Sequence, residues 1–453
     1  MNSVHNNFLK FVLLGVYSLV SFAVFNRVFA TSQEIIDELF HVGQGLKYCN
    51  GNFSAWNPKI TTFPGLYLLS SVIPAEYCDT FTLRLVPLTC SVINFLLIYQ
   101  IKSLMLISSD KRNNYDVLLE TITLVTLPPL YFFAHVYYTD IPSITMILFM
   151  LLFSLLQCHK LSTIFAAFSV LMRQTNIVWV AGALGVHLVD KMMLRVYPKM
   201  KRETATFPNF LFALRLHLKQ PRLLLALIGG SIRDLYGYIA VVLGFIGFLF
   251  YNGSIVVGDK TAHEASIHLP QLFYFSLFVL VFGSSLWIPQ LFNVHKFFKS
   301  WKYPLCLVLL AAFVAAAVNY NTIVHPYLLA DNRHYTFYIW NRFFGRYEMA
   351  RFAIIPVYLF GLTTIYNSLD GSIGFKIFFI LSSAMTLCLQ QMVEVRYFLI
   401  PFMILRLNQT KITKKWTFVE LLGNLVINYL TFSIFFTTEI RWTNFNDVQR
   451  IIW

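Results

Sequence analysis

Residues 8–41 read FLKFVLLGVYSLVSFAVFNRVFATSQEIIDELFH, an apolar run followed by a cluster of acids. The run from Phe8 to Phe25 approaches the roughly 20 residues a helix needs to cross a bilayer, where every backbone N–H and C=O must be satisfied inside the segment. Val28-Phe29-Ala30 has the small-residue pattern of a cleavage site. The apolar stretch nevertheless exceeds the roughly 7–15 residues usual for a signal peptide and favours an uncleaved anchor. Either way, residue 31 onward enters the lumen. Glu34, Asp37, Glu38 and His41 then fall within about two helical turns. Asp37 and His41 are spaced i,i+4, as are Glu34 and Glu38, so a helix here would carry them on one side. An interfacial amphipathic helix accounts for each acid singly. It does not explain why two adjoin.

The rest of the chain repeats the opening pattern. Of its 453 residues, 57% are apolar and only 12% are charged, about half the share typical of soluble domains. Twelve further apolar runs follow, from Thr82–Ile107 to Val419–Thr437, giving about 13 passes within a range of roughly 12–14, some of them short enough to be broken or re-entrant. The fold class expected is an all-α polytopic membrane protein, residues 1–453 forming one membrane-embedded unit. The net charge of +14 is topological. Lys and Arg gather in alternate loops (Lys111 and Arg112; Lys191 to Arg222; Lys296 to Lys302; Lys411 to Lys415), which marks those loops as cytoplasmic. They are not interleaved with aromatics on one folded face, so nucleic acid is not expected as a partner; membrane lipid is. Sequons at Asn52 and Asn252 fall on the luminal side of this reading and that at Asn408 on the cytoplasmic side. Cys49 and Cys78 share the first luminal loop, residues 26–81, and are either two free thiols or a pair formed in an oxidising compartment.

A transporter would bury ionisable groups near the midplane, often on repeated halves. The midplanes of the apolar runs are nearly empty of charge, and the ionisable residues crowd into luminal loops instead. Beyond the Asp37/Glu38 pair and His41, the candidate site residues are Trp56 in a turn-rich stretch, and Asp140, which helix N-capping would explain. Arg173 follows in RQTN, with a fork suited to phosphate or a stem suited to snorkelling. Lys260 and His263 lie in GDKTAHEASIHLPQ, Arg333 and His334 in an aromatic-rich loop, and Arg396 beside Glu394. His263-Glu264 lacks a second His at i+4, and no Asp-x-Asp occurs, so no metal site is expected.

This layout suits sugar transfer from a polyprenyl phosphate. The leaving group is already an anionic phosphate, so the chemistry asks for one carboxylate to take a hydroxyl proton and cations to hold the phosphate. Asp37 or Glu38 supplies the first; Arg173, Lys260, Arg333, Arg342 and Arg396 are candidates for the second. The strings DELFHVGQGLKYCNGNFSAWNPKITTFPGLYLLS, RQTNIVWV, GDKTAHEASIHLPQLFYF, HPYLLADNRHYTFYIW and EVRYFLIPF, in this order, resemble those of the dolichyl-phosphate-glucose-dependent alpha-1,2-glucosyltransferases of the endoplasmic reticulum. The resemblance covers nearly the whole chain. It implies a multi-pass GT-C fold with a luminal active-site face, dolichyl phosphate glucose as donor, Glc2Man9GlcNAc2-diphosphodolichol as acceptor and no cofactor. It also implies that the acid after the first span, here Asp37, is the base, with Glu38 the alternative. A sister enzyme moving mannose or an earlier glucose would share fold and base, and a non-catalytic membrane transporter is the more distant reading.

Overall fold

The computed structural model describes residues 2–107, 114–259, 266–292, 302–410, 413–442 and 447–453. Among them the protein is a multi-pass helical membrane protein. The chain enters with α1 (Asn2–Thr31), passes two short helices, α2 (Glu38–Cys49) and α3 (Gly65–Ser70), and returns through α4 (Thr80–Ile107). Next come α5 (Asn114–Val125), α6 (Pro128–Phe133), α7 (Asp140–Leu155), α8 (His159–Met172) and α9 (Ile177–Val196). The amphipathic α10 (Phe207–Lys219) leads into α11 (Pro221–Asn252), then α12 (Pro270–Phe282), α13 (Ser284–Leu291) and α14 (Lys302–Tyr320). Three short helices, α15 (Pro326–Ala330), α16 (Tyr335–Ile339) and α17 (Ala350–Ala353), precede α18 (Ile355–Asn367), α19 (Ile373–Cys388), α20 (Leu399–Leu407) and α21 (Lys414–Thr437).

All thirteen apolar runs are helical in whole or large part. Five helices among the described residues are long and apolar enough to cross a membrane unaided. The others are shorter or broken, and the breaks have local causes. Pro128 and Pro129 separate α5 from α6 because neither can donate to the helix ladder. The carbonyls freed there are not left bare: Asn424 and Asn428 of α21 donate to Thr123 O at 3.0 Å and Thr126 O at 2.7 Å. Gly283 separates α12 from α13, which bend by 86°. A Cβ at Gly283 would lie 2.7 Å from Val279 O, and Glu420 accepts from the Ser285 N–H at 2.9 Å, placing a carboxylate at the new helix start.

Charge does enter the bundle, near one end of it. Near the C-terminal end of α4, Lys102 meets Glu120 at 3.3 Å, and Arg406 meets Glu120 at 3.3 Å and Glu420 at 3.0 Å. All four are buried. Two cations against two anions cancel, and Lys102 also donates to the carbonyls of Arg406 and Gln409. The cluster ties α4, α5, α20 and α21 together at the end opposite the polar loops.

Those loops form one cap over the other end. Cys49 and Cys78 are joined in a disulfide across it. Residues 438–442 and 447–453 pack over the cap: Ile440 bridges Gln449, Ile452 bridges His334, and the Arg450 guanidinium donates to Thr31 O at 3.3 Å.

Candidate active site

The two adjoining acids part company at the start of α2. Glu38, fully buried, accepts from Arg84 Nε at 2.7 Å and from Tyr137 N at 2.8 Å through Oε1, and from Arg84 Nη2 at 2.8 Å and Ile35 N at 3.2 Å through Oε2. Arg84, also buried, donates as well to Ser32 O and Gln33 O. Glu38 therefore anchors the loop and has no lone pair to spare. Asp37 is the N-cap of α2, yet its side chain makes no capping bond. Its carboxylate is 49% exposed. Just before it, Ile36 sits at φ +53°, a left-handed conformation that a β-branched residue adopts only when its surroundings impose it. The helix thus begins at Glu38, and Glu34, expected on its face, lies outside it and accepts from Thr80 at 3.1 Å.

Asp37 opens into a cavity of about 610 Å³. On its wall, Arg396 reaches toward three carboxylates: Glu394, which accepts from its Nε at 2.7 Å, Asp37 at 3.6 Å and Asp140 at 3.6 Å. Asp140 is buried and also ion-paired with Arg173. Its role is that bridge rather than the N-cap the sequence suggested: Thr139 holds the cap position of α7. Lys59 brings a third cation to the wall, its ammonium over the Phe40 ring. His41 lines the cavity one turn after Asp37 and shares a 2.6 Å hydrogen bond with the Tyr67 hydroxyl. Burial pushes the imidazole down to about 4, against the opposing pull of the Asp37 carboxylate, so the ring is neutral near pH 7.

A second group of contacts completes the wall. Asp331 grips Arg333 through both carboxylate oxygens at 2.8 Å, and burial, which would raise the Asp331 carboxyl, is outweighed by these bonds, which hold it below the usual range. The Arg333 guanidinium stacks on Trp442 at 4.1 Å, and His334 meets the carbonyl of Trp453 at 3.3 Å.

Of the residues singled out in the sequence, Asp37, His41, Arg173, Arg333, His334 and Arg396 line this cavity. Glu38 and Asp140 stand directly behind it. Trp56 packs edge-on against Tyr67, in the core beneath His41. Lys260 and His263 lie outside the described residues, as does Glu264; Asp259 lines the wall. The sequence reading passed over Arg84, Trp442 and Trp453. For the tryptophans a signal existed, since RWTNFNDVQRIIW is a polar stretch with an aromatic at each end, following the last apolar run.

A family model described as the DIE2/ALG10 family matches residues 31–407, most of the chain. The chain belongs to the DIE2/ALG10 family. It is 42% identical over 449 residues to a Drosophila melanogaster protein named Dol-P-Glc:Glc(2)Man(9)GlcNAc(2)-PP-Dol alpha-1,2-glucosyltransferase, covering 98% of this chain and 99% of that one. Proteins of the same name from Mus musculus and Arabidopsis thaliana are 35% and 30% identical, with 96% and 92% of this chain covered, and 96% and 94% of theirs. The stretch matched by the DIE2/ALG10 family holds Asp37, Arg173 and Arg396, whereas Trp442 and Trp453 lie beyond it.

Proposed function

We propose that this chain is an inverting glycosyltransferase that moves glucose from dolichyl phosphate glucose to Glc2Man9GlcNAc2-diphosphodolichol, adding the terminal α-1,2-linked glucose in the endoplasmic reticulum membrane. The observation that carries the reading is a carboxylate without a capping partner, Asp37, facing the Arg396 guanidinium across 3.6 Å on the wall of one large cavity. The shared name of the full-length relatives supplies the substrates.

In this reading the cavity faces the lumen. An acceptor hydroxyl oxygen attacks the anomeric carbon of the donor glucose, and Asp37 takes its proton. The bond from that carbon to the phosphate oxygen breaks, and dolichyl phosphate leaves with the electron pair. A single displacement inverts the anomeric centre. Arg173 and Arg396, with Lys59, hold the phosphate as its charge grows. Asp140, hydrogen-bonded to Arg173 and facing the Arg396 guanidinium at 3.6 Å, orients both forks. Glu38 is unsuited to the proton transfer because its oxygens already accept four hydrogen bonds.

The test is incubation of purified protein with dolichyl phosphate glucose and the diglucosylated acceptor, scored by mass for one added hexose. Asp37→Asn should lower the transfer rate by at least about 10²-fold while the protein melts at the wild-type temperature. Wild-type turnover by Asp37→Asn would remove Asp37 from the chemistry.

A further inference from the structure

The cavity wall divides into two contact-linked groups of different character. One is ionic and built from the starts of α2 and α7, the link between α8 and α9 and the loop before α20: Asp37, Arg173 and Arg396 with their partners. The other is aromatic and built around the segment after α21. There Trp442 is fixed twice. Its indole N–H donates to Asn332 Oδ1 at 2.8 Å, and the Arg333 guanidinium lies 4.1 Å from its ring centre. Arg333 is itself immobilised by the Asp331 carboxylate and by Gln449 Oε1 at 3.1 Å. Ile452 N donates to Arg333 O at 2.8 Å, which docks the far end of the segment on the same residue.

We infer that Trp442, backed by Arg333, is a stacking platform for a hexose ring of the acceptor oligosaccharide, so that the segment after α21 selects the acceptor and not the donor. The inference rests on the glucosyltransferase reading and assigns the aromatic half of the same cavity. An indole face carries partial negative charge and attracts the C–H face of a pyranose. It does so best when the ring is already ordered, because less freedom is then lost on binding. The Arg333 charge is matched by Asp331, so this half suits an uncharged ligand, whereas the ionic half suits a phosphate. The sugars of the acceptor are uncharged. The phosphate of the donor belongs with Arg173 and Arg396.

The experiment uses the full-length protein in detergent, with donor and acceptor concentrations varied separately. Trp442→Ala should raise the acceptor KM roughly tenfold and leave the donor KM within about twofold, while Trp442→Phe, which keeps an aromatic face, should return the acceptor KM to within about threefold of wild type. If Trp442→Ala does not fold, Trp442→Leu, which keeps apolar bulk without a ring, takes its place with the same expectation. A rise in donor KM equal to or larger than that in acceptor KM overturns the platform, as does an unchanged acceptor KM. Those results leave the glucosyltransferase reading intact. Failure of the wild-type protein to glucosylate the diglucosylated acceptor at all removes both.

Discussion

Asp37 and Glu38 are neighbours in sequence with opposite fates, and the difference is solvation. Glu38 gives up all contact with water in exchange for Arg84 and two backbone amides. Such a pair adds little net stability, but removing one member leaves the other buried and uncompensated. Glu38→Gln should therefore cost about 3 kcal/mol, seen as a lower melting temperature and poorer recovery of folded protein. Asp37→Asn, at a half-exposed side chain, should stay within about 0.5 kcal/mol of wild type. Equal melting temperatures for the two variants would contradict the assignment. His41 makes a further residue-scale prediction. Its folded pKa of about 4 lies below the ordinary value of 6.5. The unfolded chain therefore takes up a proton that the folded one refuses as pH falls from about 6.5 through 4. Stability is full above that window and drops by about 3 kcal/mol across it. Melting followed from pH 7 to 4.5 should show a smaller decline for His41→Gln than for wild type; an identical decline in both would count against it. The adjoining acids were legible in the sequence as an oddity. Which one stays accessible was not, because the answer lies with Arg84, 46 residues away.

At the scale of elements, apolar length pointed to the helices, among them the five of the described residues that are long and apolar enough to cross a membrane, since a helix in hydrocarbon must satisfy its own backbone. It did not reveal that the breaks in α5–α6 and α12–α13 are supported from a distant helix. Asn424, Asn428 and Glu420 all lie on α21, and all serve backbone groups that those breaks release. Polar residues scattered through an apolar run read as dilution of the signal, whereas here each has an address. Gly283 is the sensitive point of this arrangement, since an added methyl would press on Val279 O at 2.7 Å. Gly283→Ala should destabilise the protein by about 1–3 kcal/mol without altering the affinity for either substrate. A melting temperature equal to wild type would mean that the bend relaxes freely. The Cys49–Cys78 bond belongs to this scale too: two cysteines in one loop left the pairing open, and only the fold of α2 against the loop before α4 brings their Cα atoms to 6.2 Å.

Taken whole, the molecule has two polar ends built on different plans. One is sealed, with Lys102, Glu120, Arg406 and Glu420 neutralising one another in the bundle. The other is open, with charge arranged around a space. The sealed cluster escaped the sequence reading because Glu120 and Arg406 are 286 residues apart, and an isolated ion in an apolar run gives no hint of its partner. The open end was legible in kind, as a crowd of ionisable residues in alternate loops, but not in its division into ionic and aromatic halves, which depends on how the chain returns after α21. That return has a consequence for biogenesis. Thr31, at the exit of the opening helix, accepts from Arg450, so segments 419 residues apart meet at the same polar end. A nascent chain halted short of residue 438 would already hold the ionic residues yet lack Trp442 and Trp453, so the aromatic side of the cavity is assembled only after the helix Lys414–Thr437 has emerged.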